Sequence, residues 1–229
     1  MFEIISLSTR PAFKLSGCFM IKVKICGITR PEDARAAAEA GADYLGLNFY
    51  PRSRRFVPPV EAERIVRSVE SDRIEWVGVF VNEKIDRVQK ITRAIGLRLV
   101  QLHGEETPAY CRDLAGRIGR AGIIRVFRIR GEEDLLSPGK FPADFFLFDT
   151  YSPGYGGSGR AWDWEILKGK RLPRKRLFIS GGLTPDNVRE AVRLARPYGV
   201  DVASGVENSP GKKDQRKMLE FIQRAKSER

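Results

Sequence analysis

From residue 21 to its end the chain alternates, eight times over, a short run of β-branched and aromatic residues with a longer segment of helical character. This period constrains the fold more than any other feature, because a strand–helix–strand repeat lays successive strands side by side and parallel, with the helices packed over them. The strands read as 21–26, 43–49, 76–81, 98–102, 122–127, 145–149, 177–180 and 200–203. A doubly wound sheet more often stops at about five or six strands, whereas eight βα units in a chain of this size close into a barrel. The expectation is an α/β fold: a single (β/α)8 TIM barrel with a parallel eight-stranded core, spanning 20–229 as one domain. Residues 1–19 fall outside the period and Met20 stands just before the first strand, so 1–19 read as an N-terminal extension with little ordered structure, or as an upstream start.

Helix starts support the parsing. Thr29 and Pro31 precede ARAAAEA, Pro58 and Pro59 precede EAERIVRSV, and Thr184, Pro185 and Asp186 precede NVREAVRLA. Each places a capping hydroxyl or a proline where the first turn has N–H groups to satisfy. Gly41 is positioned to close the first helix.

Composition removes several function classes. No run approaches the roughly 20 apolar residues of a membrane span, and the start is too interrupted for a secretory signal, so a cytoplasmic protein with no membrane partner is expected. Three cysteines, Cys18, Cys26 and Cys111, show no CxxC spacing, which argues against a disulfide framework and a structural zinc site. The net charge of +12 invites a nucleic-acid reading, but the basic residues are spread over the helices and turns and match no nucleic-acid motif. No nucleic-acid partner is expected.

A barrel of this kind builds its site at the C-terminal ends of the strands. The polar residues there are few: Lys24 and Cys26, Asn48 and Arg55, His103, Asp149, and the glycine-rich turns after the last two strands. Those turns, Ser180-Gly181-Gly182 and Ser204-Gly205-Val206-Glu207, follow the pair of strands where barrels often hold a phosphate on backbone N–H groups, and glycine lets the backbone approach the anion. A small phosphorylated ligand is therefore expected. Asp149 ends the apolar run FFLFD, where desolvation favours a protonated carboxyl suited to a general acid; a turn-capping role is the alternative. A partly exposed Cys26 thiol near Lys24 would serve as a base, and a small buried hydrophobe is the plainer reading. His103, the one histidine, reads equally as structural or as lining the substrate. The segment YSPGYGGSGR (151–160) reads as a mobile lid; its GxxxxG spacing lacks the Lys-Ser/Thr that would make it a nucleotide-binding loop.

Several motifs stand in order along the chain: KICGIT (24–29), GADYLGLNFYPRSRRFV (41–57), VGVFVN (77–82), VQLHGEE (100–106), FDT with YGGSGRAWDW (148–164), SGGLTPDNV (180–188) and VDVASGVENSPGKKD (200–214). Together they resemble the phosphoribosylanthranilate isomerases of tryptophan biosynthesis. The resemblance implies an Amadori rearrangement of N-(5-phosphoribosyl)anthranilate with Cys26 as general base and Asp149 as general acid. It implies Arg55 as the partner of the anthranilate carboxylate, and Gly156, Gly157, Gly181, Gly182, Ser204 and Gly205 as phosphate contacts. No metal and no organic cofactor is implied, and a monomer or a homodimer is expected. Activity should then fall at low pH as Cys26 is protonated and at high pH as Asp149 ionises. Asn48, where an apolar residue is commoner, and Arg160-Ala161-Trp162, where Lys-Thr-Phe is commoner, depart from the pattern. Two sibling barrels are disfavoured: the histidine-pathway sugar isomerase would carry an aspartate at Cys26, and indole glycerol phosphate synthase a catalytic lysine and glutamates not evident here. A non-catalytic phosphate- or RNA-binding barrel is the alternative from another class.

Overall fold

The computed structural model describes residues 20–136, 140–151, 162–170, 172–173 and 176–228. Eight strands, β1 (Lys22–Cys26), β2 (Tyr44–Asn48), β3 (Glu75–Phe80), β4 (Leu99–Leu102), β5 (Gly122–Ile129), β6 (Phe145–Thr150), β7 (Leu177–Ile179) and β8 (Gly199–Val202), close into a barrel. Every neighbouring pair is parallel, and β8 returns to pair with β1 through Lys22↔Gly199, Val23↔Val200, Lys24↔Asp201 and Ile25↔Val202. All eight expected strands are present, with ends shifted by at most two residues.

Side chains alternate along each strand. One set packs outward beneath the helices α1 (Pro31–Glu39), α2 (Pro59–Arg67), α3 (Ile85–Ile95), α4 (Pro108–Arg117), α5 (Val188–Ala195) and α6 (Gln215–Ser227). The other fills the barrel: Tyr44, Val77, Leu99, Ile124, Val126, Phe145, Leu147 and Phe178 form a separate buried cluster. Each fully buried Leu or Phe of this kind contributes about 1.5–3 kcal/mol of transfer free energy. Moving two residues at a time towards the C-terminal ends, the inward set turns polar: Leu99 gives way to Gln101 and His103, Leu147 to Asp149, and Phe178 to Ser180. The same period-two rule that makes the core thus places polar groups at one rim.

Two details differ from the expected helices. The Thr29 hydroxyl does not cap α1; it donates to the Gly211 carbonyl, and Pro31 at the first turn stands in by removing one N–H that would need a partner. Thr184 likewise accepts from Asp186 N–H ahead of α5, whose cap residue is Asn187. Gly41, at φ +92°, does follow the end of α1. Units five and six carry 3-10 turns, Glu132–Leu136 and Trp164–Leu167, as their described helical segments. On the opposite rim Asp43 accepts from Lys22, from the Val23 N–H and pairs with Lys226 of α6, fastening the last helix to the first strand. Two further strands, β9 (Glu207–Ser209) and β10 (Lys212–Lys213), form a small antiparallel pair after β8. Among the described residues no helix is long and apolar enough to cross a membrane.

Candidate active site

The polar rim surrounds one cavity. Cys26 of β1, Asn48 of β2, Gln101 and His103 at the end of β4, Asp149 of β6, and Asp201 of β8 line it together with Arg55, Gly181, Gly182 and Ser204 from the loops. The strand-end residues of the expected site therefore meet in one place, as the topology requires of inward positions on a closed barrel.

Each side chain is held by identifiable contacts. Asp149 accepts the Thr150 N–H on Oδ1 at 2.8 Å, while its Oδ2 lies 3.4 Å from His103 Nε2. His103 Nδ1 lies 3.3 Å from the buried carboxamide Nε2 of Gln101. Asn48, the departure from the usual apolar residue, accepts the Tyr50 N–H on Oδ1 and donates to the Ser53 hydroxyl. It thereby shapes the turn that delivers Arg55. Gly27, at φ +73°, passes under that arginine: a Cβ there would fall 2.4 Å from Arg55 Cδ, so only glycine leaves the side chain its path.

Arg55 is also where the structure adds most to the sequence. Its Nε and Nη2 donate to the two carboxylate oxygens of Glu207 at 2.8 and 2.6 Å. Glu207 in turn accepts from Lys213 Nζ, which also donates to the carbonyls of Cys26 and Ala203. Burial alone would push the Glu207 carboxyl up, but Arg55 and Lys213 outweigh it and hold the group below its ordinary value. One edge of the Arg55 fork is thus occupied, and Arg55 also stands on the cavity wall. The sequence quotes Glu207 in the turn after the eighth strand, yet nothing local marks it as the partner of a residue 152 positions away.

Lys24 lies within β1 rather than at its end. It is fully buried, with Nζ 2.9 Å from Asp201 Oδ1. Cys26 is partly exposed and free of any disulfide, as is buried Cys111. Burial pushes the Cys26 thiol up, and the neighbouring Lys24 ammonium offsets part of that rise.

Of the glycine turns, Gly181, Gly182 and Ser204 line the cavity, whereas Gly205 does not. Gly181 is at φ +91°, and a Cβ there would fall 2.1 Å from Thr150 Oγ1. Gly182 and Ser204 stand on the cavity wall. Gly205 packs against the backbone of Leu183, where a Cβ would meet the carbonyl oxygen at 1.9 Å. Trp162 donates its indole N–H to the Ser180 carbonyl. Gly156 and Gly157 lie outside the described residues. Among the described residues no cluster of His, Cys, Asp and Glu is arranged to hold a metal ion.

A cavity at the C-terminal rim, two glycine turns after β7 and β8, and a cysteine and an aspartate on different strands together suit acid–base chemistry on a phosphorylated ligand. The family model for N-(5'phosphoribosyl)anthranilate (PRA) isomerase matches residues 23–224. The chain belongs to the phosphoribosylanthranilate isomerase family. Within that family it is 49% identical over 208 residues to the N-(5'-phosphoribosyl)anthranilate isomerase of Trichlorobacter lovleyi, covering 90% of this chain and 98% of the relative. The crystal structure of the isomerase from Thermotoga maritima superposes with a TM-score of 0.81 at 43% identity, over 91% of this chain and all of that one. Another isomerase of the family, 39% identical with a TM-score of 0.78 and covering 91% of this chain and all of that one, was solved in complex with reduced 1-(o-carboxyphenylamino)-1-deoxyribulose 5-phosphate. Phosphoribosylanthranilate isomerases are enzymes, and this chain carries their barrel and their motifs in order.

Proposed function

We propose that the protein converts N-(5'-phosphoribosyl)anthranilate to 1-(o-carboxyphenylamino)-1-deoxyribulose 5-phosphate in tryptophan biosynthesis, with Cys26 as general base and Asp149 as general acid. The observation that carries this reading is the convergence of Cys26 and Asp149 on one cavity walled by the phosphate-type turns. A family relative crystallised with the reduced product analogue supports the choice of ligand.

The chemistry follows from the groups. Asp149 gives its proton to the furanose ring oxygen, the C1′–O bond breaks, and the nitrogen lone pair forms the protonated Schiff base. That cation withdraws electrons from C2′, and the Cys26 thiolate removes the C2′ proton, leaving an enolamine. Return of a proton to C1′ and loss of the C2′ hydroxyl proton give the aminoketose. Atoms balance without a second substrate, and no cofactor or metal takes part. The arriving iminium also favours the thiolate, because it adds a cation to a cavity whose thiol is pushed up by burial.

Substrate positioning is assigned to the anionic ends. Gly181, Gly182, Ser204 and Gly205 are assigned to the phosphate, while Gly156 and Gly157, the other expected contacts, lie outside the described residues. The end-on edge of Arg55 takes the anthranilate carboxylate, with Glu207 fixing the guanidinium plane. His103 packs against Asp149 and lines the substrate. Arg55→Met should raise KM about 10- to 100-fold with a smaller change in kcat, since charge-assisted hydrogen bonds are worth about 1.5–3 kcal/mol and this one is made in the ground state as well. Steady-state kinetics on the folded variant measure the split; a fall in kcat with KM unchanged would move Arg55 out of this role.

The overall reading is tested by the loss of anthranilate-type fluorescence from freshly made phosphoribosylanthranilate. Turnover by the wild-type chain is expected. We assign catalysis to the domain 20–229, so a chain starting at Met20 should turn over at the same rate. A well-folded wild type without turnover would overturn the reading.

A further inference from the structure

Resting on that reading, one buried group at the site has no role in the steps above. Lys24 is among the largest fully buried side chains, on the inward face of β1, and is the only lysine on the eight barrel strands that is fully buried among the described residues. Placing an ammonium there costs several kcal/mol of desolvation unless partners offset it. Two do. Asp201, its register partner across the β1–β8 seam, accepts from Nζ at 2.9 Å. The second is the Cys26 thiol, two residues on along the same inward face of β1. Gly46 of β2 makes the room: a Cβ there would lie 2.9 Å from Cys26 Sγ and 3.3 Å from Lys24 Cε.

We propose that Lys24 is a positioning residue for the base, its buried ammonium acting as the fixed counter-ion of the Cys26 thiolate while Asp201 anchors it. The other charged groups around Cys26 are committed elsewhere. Lys213 is shared among two carbonyls and Glu207, and Arg55 is held by Glu207. Asp149 and His103 face Asp201 from the β6 and β4 side. Lys24, Lys213 and Arg55 thus set three cations about the thiol, the first paired with Asp201 and the other two with Glu207. Removal of the C2′ proton then leaves a neutral thiol beside an ion pair that remains satisfied by Asp201, so the counter-ion need not move during the cycle.

The test reads the thiol directly. Alkylation of the full chain with iodoacetamide is followed against pH on the Cys26 peptide by mass spectrometry, which separates it from Cys18 and Cys111. Lys24→Met should move the midpoint up by about 1 to 3 pH units, as loss of an opposite charge at this range does. Asp201→Asn should move it down, since it removes a competing anion. The double variant Lys24→Met/Asp201→Asn leaves no unpaired buried charge, so it keeps its circular dichroism, and its midpoint should also lie above the wild type. The low-pH limb of kcat/KM should follow the alkylation midpoint in each active variant. A midpoint unchanged in the folded double variant, one that moves the same way in both single variants, or a kinetic limb that ignores it, overturns the proposal. Shifted midpoints in a protein without any turnover would uphold the counter-ion and overturn the isomerase reading instead.

Discussion

Cys26→Ala is expected to lower kcat by about 10²- to 10⁴-fold, the range a positioned proton transfer supplies, which corresponds to about 3–5 kcal/mol of barrier. The fold should survive, because Cys26 is partly exposed at the cavity and its sulfur is not part of the packed interior cluster. Its backbone contacts are unaffected: the Cys26 carbonyl still accepts from Lys213. Cys26→Ser is the sharper variant, for it keeps the shape and removes the acidity. A serine hydroxyl does not ionise in the accessible range, so it should be nearly as impaired as alanine. The pH dependence follows from burial. The thiol is pushed above its ordinary value of 9.0, with Lys24 offsetting part of the rise. A base with a raised pKa is active in its deprotonated form, so kcat/KM should climb with pH through that raised midpoint, and the climb should vanish in Cys26→Ala. Stopped-flow fluorescence with matched circular dichroism decides it; a serine variant as active as wild type would remove the thiolate from the mechanism.

Asp149→Asn should cost a similar factor in kcat for a different reason. The carboxamide Oδ1 can still accept the Thr150 N–H at 2.8 Å and its other end can still face His103, so the local structure is retained. What is lost is a proton that can leave. Without it the furanose ring oxygen departs as a poor leaving group and the Schiff base does not form. Near wild-type kcat in folded Asp149→Asn would place the acid elsewhere, and His103, 3.4 Å from the Asp149 carboxylate, would be the next residue to replace.

Much of this site was legible in the sequence because its parts are local. FFLFD is apolar until its last residue, and the inward period then sets Asp149 at the rim. KICGIT alternates in the same way, so Cys26 follows Lys24 onto the inward face while Ile25 packs outward. The turns after the last two strands declare themselves by glycine, and Gly181, with its φ of +91° and no room for a Cβ, shows why that residue type stands there. Helix capping was less legible: Thr29 looks like a cap by position, but Gly211 lies close enough to take its hydroxyl. Asn48 looked like an exception until the Tyr50–Ser53 turn it holds was visible.

The sequence by itself determined the eight-unit barrel and the rim that bears the site, since both follow from periodicity and residue type over a few positions, while the pairing of Cys26 with Asp149 came from the family resemblance alone. Only the tertiary structure decided which charges meet. Lys24 and Asp201 are 177 residues apart, and Arg55 and Glu207 are 152 apart. They become neighbours because the last strand closes against the first and carries its following loop back over β1 and β2. Hydrophobic periodicity says which face a residue takes, but a charge buried on that face is satisfied by whatever closure brings beside it.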